Sequence, residues 1–397
     1  MQLTQEETQM LSGDQGRAVQ KAMQILVALG NIYGAERMIP VMSVQIAGVS
    51  YDNLGEAGLQ FLSEMAHGGG AARVPTTLNP AGMDLENWQA LGIPPEFAAK
   101  QLQVIEAFAS MKVATTCTCT PYLIGNLPGR GDHLAWSESS AVCYVNSVLG
   151  ACTNREGGPS ALAASLTGRT PEYGLHLEKN RQPAITVQVN SPLHENSDFG
   201  ALGKAIGEKI QSARLVPYIR GVPSATLENL KSFCASLATF GGAAIFHMEG
   251  ITPEAGMFRP GQAEISIAQQ ELDLARASLN DAQPENVDFV SLGCPHLTID
   301  EIARIAQILE GRQVNKEFWI TTARPIKRLA DQLGYTRIIE LAGAKFATDT
   351  CCVVAPIRGR FKSMATDSAK ACYYASAKNK FNTVFLPFDE VVELALK

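Results

Sequence analysis

Strand-like and helix-like segments alternate through the last third of the chain, and this alternation constrains the fold more than any other feature. Residues 287–293 and 318–322 are apolar and strand-like, and Thr298 stands where it can cap a helix between them. A helix around 325–333 and a third strand at 337–341 continue the pattern. Such alternation predicts a parallel α/β sheet with right-handed crossovers, which binds ligands beyond the carboxyl ends of its strands.

The length of the chain, 397 residues, is too great for one compact core and predicts two or three domains. We expect an N-terminal α/β region at 1–185, a middle α/β region at 186–285 and a C-terminal α/β region at 286–397. The formal net charge is −6 and no basic run occurs, which disfavours binding to nucleic acid.

The sequence also bears on where the protein works. No run of about 18 apolar residues is present, and the first residues lack the basic and apolar regions of a signal peptide. We therefore expect a cytoplasmic protein without a membrane role. In a reducing compartment the nine cysteines are not expected to form disulfides, so they are core residues, metal ligands or reactive thiols.

Helices and glycine-rich loops alternate in the N-terminal region. The apolar spacing predicts a helix over residues 15–29 that ends at Gly30, and further helices at 54–66 and 96–111. Loops containing Gly48 and Asn79 lie between these helices. Glycine allows tight turns and a close approach of backbone to a ligand, although such loops are also common as simple turns.

Three separated cysteines, Cys119, Cys294 and Cys351, each follow a strand-like run and have hydroxyls, a carboxylate or turn residues as neighbours. Three thiolates from distant segments can hold an iron–sulfur cluster and leave one iron without a protein ligand. Their spacing matches neither zinc ribbons nor ferredoxins, so spacing alone indicates metal only weakly. Cys117 and Cys352, beside two of the three, are the plausible alternative ligands.

A polar segment beginning at Trp136 is the other candidate for chemistry. Glu138 could serve there as a base, an acid or a ligand anchor, and the fork of Arg155 suits a carboxylate or phosphate. The alternative is a solvated helix followed by a turn. Serine and asparagine are poor choices inside a helix without a local purpose, which favours the functional interpretation.

Taken together, these motifs resemble the large subunit, or catalytic domain, of the aconitase X family. The resemblance extends over essentially the whole chain and rests on the segments Gly-Val-Ser-Tyr, Thr-Thr-Leu-Asn-Pro-Ala-Gly-Met-Asp, Thr-Cys-Thr-Pro-Tyr, Glu-Ser-Ser-Ala, Thr-Asn-Arg-Glu-Gly-Gly-Pro, Gly-Cys-Pro-His and Asp-Thr-Cys.

The resemblance implies an aconitase-like fold, with three α/β domains around a central cluster site. A smaller swivelling domain closes the active site in such proteins, and we find no candidate for it in this sequence. The resemblance therefore implies a separate small subunit, a heterodimer, and an active site completed only in the complex.

The resemblance also implies a hydro-lyase that depends on an iron–sulfur cluster, expected to be [4Fe–4S] with one open iron. Cys119, Cys294 and Cys351 would be the cluster ligands, with Glu138 and Ser139 as catalytic residues. The substrate is expected to contact Gly48, Val49, Ser50, Asn79, Pro80, Glu138, Ser139, Ser363 and Met364.

Two activities of the family remain open at this point. One is dehydration of (R)-mevalonate 5-phosphate to trans-anhydromevalonate 5-phosphate in isoprenoid precursor biosynthesis, and the other is dehydration of cis-3-hydroxy-L-proline. The resemblance favours the first, a phosphorylated hydroxy acid. Alternatives of other classes are a non-catalytic iron–sulfur redox sensor and a cysteine-nucleophile enzyme that pairs Cys294 with His296.

Overall fold

The structure is a computed structural model that describes residues 1–210, 212 and 215–397. Three parallel sheets follow one another along the chain, each flanked by helices, and a short antiparallel pair joins two strands of the first region. Across these described ranges, no helix has both the length and the apolar character needed to cross a membrane.

The first region contains a three-stranded parallel sheet in the order β3-β2-β4. Strand β2 is central, and the chain leaves it toward β3 on one side and returns as β4 on the other. The elements are α1 (Gln5–Ser12), α2 (Arg17–Tyr33), β1 (Met38–Pro40), β2 (Ser43–Ile46), α3 (Tyr51–His67), β3 (Thr76–Leu78), α4 (Pro95–Ser110), β4 (Leu134–Trp136), α5 (Ser139–Tyr144), α6 (Gly158–Thr167) and β5 (Arg169–Pro171).

The second region contains a four-stranded parallel sheet in the order β8-β7-β6-β9. Two of its helices, α7 and α8, pack closely because small residues let their backbones approach. A side chain added at Gly203 of α7 would meet Ser236 Cβ of α8 at 2.8 Å. The elements are β6 (Ile185–Val189), α7 (Asn196–Ile210), β7 (Pro217–Arg220), α8 (Leu227–Phe240), β8 (His247–Met248), β9 (Ala263–Ile267) and α9 (Gln269–Ala277).

The third region contains a five-stranded parallel sheet in the order β12-β11-β10-β13-β14. The direction of winding reverses between β10 and β13, which is where open α/β sheets bind their ligands. The elements are β10 (Phe289–Leu292), α10 (Ile299–Leu309), β11 (Glu317–Thr322), α11 (Arg324–Gln332), α12 (Tyr335–Leu341), β12 (Lys345–Thr348), β13 (Ser363–Thr366), α13 (Ala369–Tyr374), β14 (Asn382–Phe385) and α14 (Phe388–Ala395).

A shared core holds the first region against the third. Met83 and Ile93 of the first region belong to the same buried cluster as Phe289 and Trp319 of the third. Burial of large side chains of this kind contributes about 1.5–3 kcal/mol each. This packing fixes the relative position of the two sheets, and with it the loops at their carboxyl ends.

The structure confirms the cap predicted at Thr298. Its hydroxyl accepts a hydrogen bond from the Glu301 amide, and the Glu301 carboxylate accepts one from the Thr298 amide, which forms a capping box. The interpretation of residues 337–341 as a strand is wrong, because they form most of α12. A short apolar run cannot distinguish a strand from a buried helix face, and the third strand of this half of the sheet is instead β12.

The helix predicted for residues 15–29 continues past Gly30 and ends before Gly34, which adopts a left-handed conformation. Gly30 lies inside the helix because its neighbours leave no room for a side chain. A Cβ there would meet Met1 Sδ at 2.7 Å and Pro171 Cβ at 3.2 Å. This glycine therefore serves packing and does not terminate the helix.

Candidate active site

The loops at the carboxyl ends of the first sheet carry three of the residues singled out from the sequence. Gly48 follows β2, Asn79 follows β3 and Glu138 follows β4. The three strands are parallel neighbours, so these loops meet at one edge of the sheet. The side chain of Gln45 joins two of them, because its Nε2 donates to Asn79 Oδ1 at 3.2 Å and its Oε1 accepts from the Glu138 backbone amide at 2.9 Å.

The corresponding edge of the third sheet carries two of the three cysteines. Cys294 follows β10 and Cys351 follows β12, as the sequence predicted. Cys119 differs, because no regular strand precedes it. Its segment adjoins the first sheet through an isolated bridge between Ala114 and Thr77, and the Thr118 amide donates to the Leu78 carbonyl oxygen at 2.9 Å.

The structure brings the three thiols close enough for the charge of one to affect the pKa of another. The negative charges that Cys351 and Cys294 would carry both raise the pKa of Cys119, after the larger effect of burial. Burial raises the pKa of Cys294 to about 12, and Cys351 adds to that rise. The loops of both sheets therefore meet around these cysteines, although the cysteines are far apart in sequence.

Each of the three sulfurs also has a hydrogen-bond donor. The His296 amide donates to Cys119 Sγ at 3.3 Å, and the Ser368 hydroxyl donates to Cys294. The backbone amides of Val353 and Val354 donate to Cys351. Such bonds favour the thiolate form, which is the form that binds a metal.

A buried ion pair lies beside the thiols. Lys370 Nζ donates to Glu138 Oε1, and both side chains are at least nine-tenths buried. Burial would raise the pKa of Glu138, but the Lys370 charge, together with hydrogen bonds from Lys370, Ser140 and the Ala141 amide, holds it below its ordinary value. Glu138 is therefore an ionised carboxylate at neutral pH.

Lys370 was not identified from the sequence. Burial would lower its pKa, but Glu138 and the neighbouring thiols hold it above its ordinary value, so it is a cation. It lowers the pKa of all three cysteines. A lysine inside Ser-Ala-Lys-Ala-Cys gives no sequence signal, because the contact that defines it comes from a residue 232 positions earlier in the chain.

The predicted substrate loop of the first region adjoins a cysteine loop. Ser50 Oγ donates to the carbonyl oxygen of Val354, which stands just beyond Cys351. Gly48 has a φ of +78° and open space around it, while Val49, Ser50 and Pro80 are buried. Ser139 Oγ lies 3.5 Å from Lys370 Nζ. Seven of the predicted substrate residues thus follow the edge of the first sheet: Gly48, Val49, Ser50, Asn79, Pro80, Glu138 and Ser139.

Ser363 and Met364 are placed elsewhere. They begin β13, whose carboxyl end leads to Ser368 and Lys370, and Met364 pairs with Phe289 at the start of β10. Both are buried at the amino end of the parallel strands, and Met364 belongs to the core. The structure does not bring them to the other candidate residues, because those residues lie at the carboxyl ends of the strands, whereas Ser363 and Met364 lie at the amino end.

The two alternative cysteines have different surroundings. Burial and the Asp349 charge raise the pKa of Cys117, which bonds the Ala81 amide and lies outside the group of three. Cys352 belongs to the core shared by the first and third regions, and Cys351 and Cys294 raise its pKa after the larger effect of burial, so it adjoins two of the three thiols. His296 does not suit the role of a base for Cys294, because its ring nitrogens bond Thr118 and the Thr350 carbonyl.

The donor chemistry fits an iron–sulfur cluster. Within residues 1–210, 212 and 215–397, no three His, Cys, Asp or Glu side chains already converge on a common metal position. The three neighbouring sulfurs are nevertheless soft ligands, each with a hydrogen-bond donor, and these are the features that cluster sites use.

Comparison with known proteins places this architecture in the aconitase class. Family models for the first, second and third domains of aconitase X match residues 1–179, 183–280 and 287–397. The chain belongs to the aconitase X family. The crystal structure of Thermococcus kodakaraensis aconitase X in its holo-form superposes with a TM-score of 0.93 at 42% identity, covering 100% of both chains. The predicted aconitase-like fold of three α/β domains is confirmed.

Among curated relatives, the chain is similar to two phosphomevalonate dehydratase large subunits. It is 45% identical to that of Methanothermobacter thermautotrophicus, covering 96% of both chains. It is 43% identical to that of Methanocaldococcus jannaschii, covering 99% of this chain and 100% of the relative. A cis-3-hydroxy-L-proline dehydratase of Hypocrea jecorina is 35% identical, and the match covers 94% of this chain but 65% of that protein.

Proposed function

We propose that this chain is the large subunit of a hydro-lyase that dehydrates (R)-mevalonate 5-phosphate to trans-anhydromevalonate 5-phosphate. The observation that carries the proposal is the end-to-end match to two large subunits of that name at 43–45% identity. The hydroxyproline dehydratase is more distant and longer.

The proposal includes a small-subunit partner. The two relatives that match from end to end are named as large subunits, whereas the longer hydroxyproline dehydratase extends well beyond the matched part. The partner would carry the swivelling domain and cover the edge where Gly48, Glu138 and Cys294 lie. The active site would then be complete only in the heterodimer.

Cys119, Cys294 and Cys351 are the proposed ligands of an iron–sulfur cluster, expected to be [4Fe–4S]. Support comes from their shared surroundings and from the donor on each sulfur. A bound cluster with one iron free of protein ligands would supply Lewis acidity, which makes hydroxide a better leaving group.

Glu138, Ser139 and Lys370 would handle the charges of the substrate. Loss of a proton beside a carboxylate builds negative charge on the carboxylate oxygens, and a preorganised cation lowers the cost of that charge. Lys370 Nζ provides such a cation in a largely buried position. Glu138 holds the ammonium in place, and the Ser139 hydroxyl is available to orient the substrate hydroxyl or to carry its proton.

The Gly48–Ser50 loop is the proposed phosphate site. It leads directly into α3, and the left-handed Gly48 has open space where a side chain would stand. Exposed backbone amides at a helix N-terminus bind phosphate oxygens well. Asn79, half-exposed and held by Gln45, is placed to donate to a substrate oxygen from the neighbouring loop.

The test is an assay of the two-subunit complex, prepared without oxygen, with each substrate in turn. We expect water loss from mevalonate 5-phosphate and none from cis-3-hydroxy-L-proline. The reverse result would overturn the substrate assignment. A complex that carries a cluster but converts neither substrate would support the redox sensor instead.

The ligand assignment has its own test, the iron and sulfide content of Cys119→Ala, Cys294→Ala and Cys351→Ala. Cys152→Ala is the matched control, because Cys152 is half-buried like Cys294 but lies outside the group of three. We expect loss of the cluster in the three variants and retention in the control. A full cluster in all three variants would contradict the assignment.

A further inference from the structure

His296 contacts all three cysteine-bearing segments. It stands two residues after Cys294 and is completely buried. Its ring Nδ1 lies 2.9 Å from the hydroxyl of Thr118, the residue before Cys119, and its ring Nε2 lies 2.9 Å from the carbonyl oxygen of Thr350, the residue before Cys351. Its own amide donates to Cys119 Sγ.

The partners fix the proton on the ring. A carbonyl oxygen can only accept, so Nε2 carries the hydrogen and donates to Thr350. Nδ1 then accepts from the Thr118 hydroxyl. Every polar atom of this imidazole is thus committed to a segment that carries a cysteine.

The backbone of His296 is anchored from the remaining side. Lys231 Nζ donates to the His296 carbonyl oxygen at 2.9 Å and to the carboxylate of Glu301 at 2.6 Å. Lys231 comes from α8 of the second region, so the anchor adds a contact from outside the cysteine loops. The Thr118 hydroxyl is held in turn by Thr120, whose amide donates to it at 3.2 Å.

We propose that His296 is a positioning residue that sets the spacing of the three cysteine loops, so that their sulfurs can serve one cluster. The inference rests on the proposed ligand set. The ring of His296 bonds the residue before each of the two distant cysteines, which connects the loops of Cys119 and Cys351 to the loop of Cys294.

The first measurement is the resistance of the cluster to an iron chelator. In the two-subunit complex, visible absorbance is followed as the chelator concentration rises. Residues that orient metal ligands typically change metal affinity about 10–100-fold. We expect His296→Ala to lose its cluster at about 10–100-fold less chelator than the wild type, and Thr118→Val, which removes one of the two ring bonds, to fall between them.

His247→Ala is the matched control. His247 is also completely buried, and its Nε2 also bonds a backbone carbonyl, that of Arg181, at 2.7 Å, but its bonds stay away from the cysteine loops. We expect the control to keep wild-type resistance to the chelator even if it unfolds at a lower temperature. Equal losses in His296→Ala and His247→Ala would overturn the proposal, because a general loss of stability would explain both.

A second measurement needs no cluster and separates this inference from the proposed function. In apo complexes, alkylation of each cysteine by iodoacetamide is followed by mass spectrometry. We expect Cys119 and Cys351 to react at least about tenfold faster in His296→Ala than in the wild type, with Cys143 unchanged. His296→Gln keeps a donor for the Thr350 carbonyl and should restore slow alkylation of Cys351.

The outcomes of the two measurements are distinct. The wild type could hold no cluster while Cys119 and Cys351 still react faster in His296→Ala. The ligand assignment would then be wrong, but the role of His296 in positioning the cysteine loops would be supported. If the wild type holds a cluster and neither the chelator resistance nor the alkylation rates change in His296→Ala, the positioning role fails and the ligand assignment stands.

Discussion

Two segments of the molecule have the same local architecture and opposite charge. In the first region, β4 leads to a capping residue, Glu138, then α5, a π turn at Val145–Leu149 and a left-handed residue, Gly150. In the third region, β13 leads at the same spacing to Ser368, α13, a π turn at Ala375–Asn379 and the left-handed Lys380.

The difference between the two segments lies in the side chains at matched positions. The cap is a carboxylate in one and a hydroxyl in the other, and two residues later Ser140 matches Lys370. The carboxylate of the first cap meets the lysine of the second helix, so one ion pair joins the two segments. A repeated backbone thus supplies two adjoining loop ends, and the side chains at two positions make them a charged site.

Removing the ion pair between Glu138 and Lys370 should have the largest effect, and that effect should be on catalysis. In Glu138→Gln/Lys370→Met both charges go together, and neutral replacement of a buried pair is often without cost in stability. We expect kcat of the complex to fall about a thousandfold, because the cation for the developing negative charge is gone. Thermal unfolding should stay near that of the wild type. Activity within tenfold of the wild type would show that the pair is only structural.

A second cluster of charged residues joins the same two regions. Its removal should lower the stability of the fold and leave catalysis nearly unchanged. Arg324 of α11 donates to Asp84 of the first region at 2.8 Å and to Asp349 of the third, and both carboxylates are buried. Arg324→Met would leave them unpaired at a cost of about 3–5 kcal/mol.

Chemical denaturation measures that cost, and kcat per folded molecule should change less than tenfold. Arg324→Lys serves as the control that keeps the charge. An Arg324→Met variant that is as stable as the wild type, or that is folded but inactive, would contradict the claim that this cluster serves stability and the Glu138–Lys370 pair serves catalysis.

The residue before each cap also differs between the two segments, and this difference predicts how the free energy of unfolding depends on pH. Ser137 precedes Glu138, whereas Asp367 precedes Ser368, and burial, followed by the Glu301 charge, raises the pKa of Asp367 from 3.8 to about 7. The folded state therefore prefers the protonated form. The stability that this preference contributes is fully present below about pH 4 and is lost as pH rises through 7.

Asp367→Asn should remove that dependence. Between pH 4 and 7 the free energy of unfolding of the wild type should fall, relative to the variant, by about 1.4 kcal/mol per pH unit. Urea unfolding at several pH values measures the difference. Parallel curves would mean that Asp367 titrates as it does in the unfolded chain.

The smallest effect concerns the left-handed residue that ends each π turn. Gly150 adopts φ +71° without strain, whereas Lys380 adopts φ +64° with a side chain. Lys380 is exposed, so Lys380→Gly removes that strain together with an exposed hydrogen bond from Lys380 Nζ to the Ala377 carbonyl oxygen. We expect a gain of about 0.5 kcal/mol, set by relief of strain against the greater freedom of glycine in the unfolded chain. Destabilisation would show that the side chain contributes a favourable contact.

The sequence predicted the local features of the site well. Strand ends before Cys294 and Cys351 and the cap at Thr298 follow from short-range patterns, and the structure has them. Residues 337–341 were misassigned because five residues with two adjacent isoleucines suit a strand as well as a helix. Lys370 and the bonds of His296 could not be predicted, because both depend on contacts between the first and third regions that no local pattern encodes.

The order of the three cysteines along the chain also affects how the protein is made. Cys119 and Cys294 leave the ribosome well before Cys351, and the segment from Ser368 to Lys370 follows later still. All three sulfurs and the lysine beside them therefore exist in one molecule only after residue 370 has been made. On the proposed ligand set, a cluster could be fully ligated only after residue 351 has been made, and a product that stops short of that residue would lack a ligand that no supply of metal could replace.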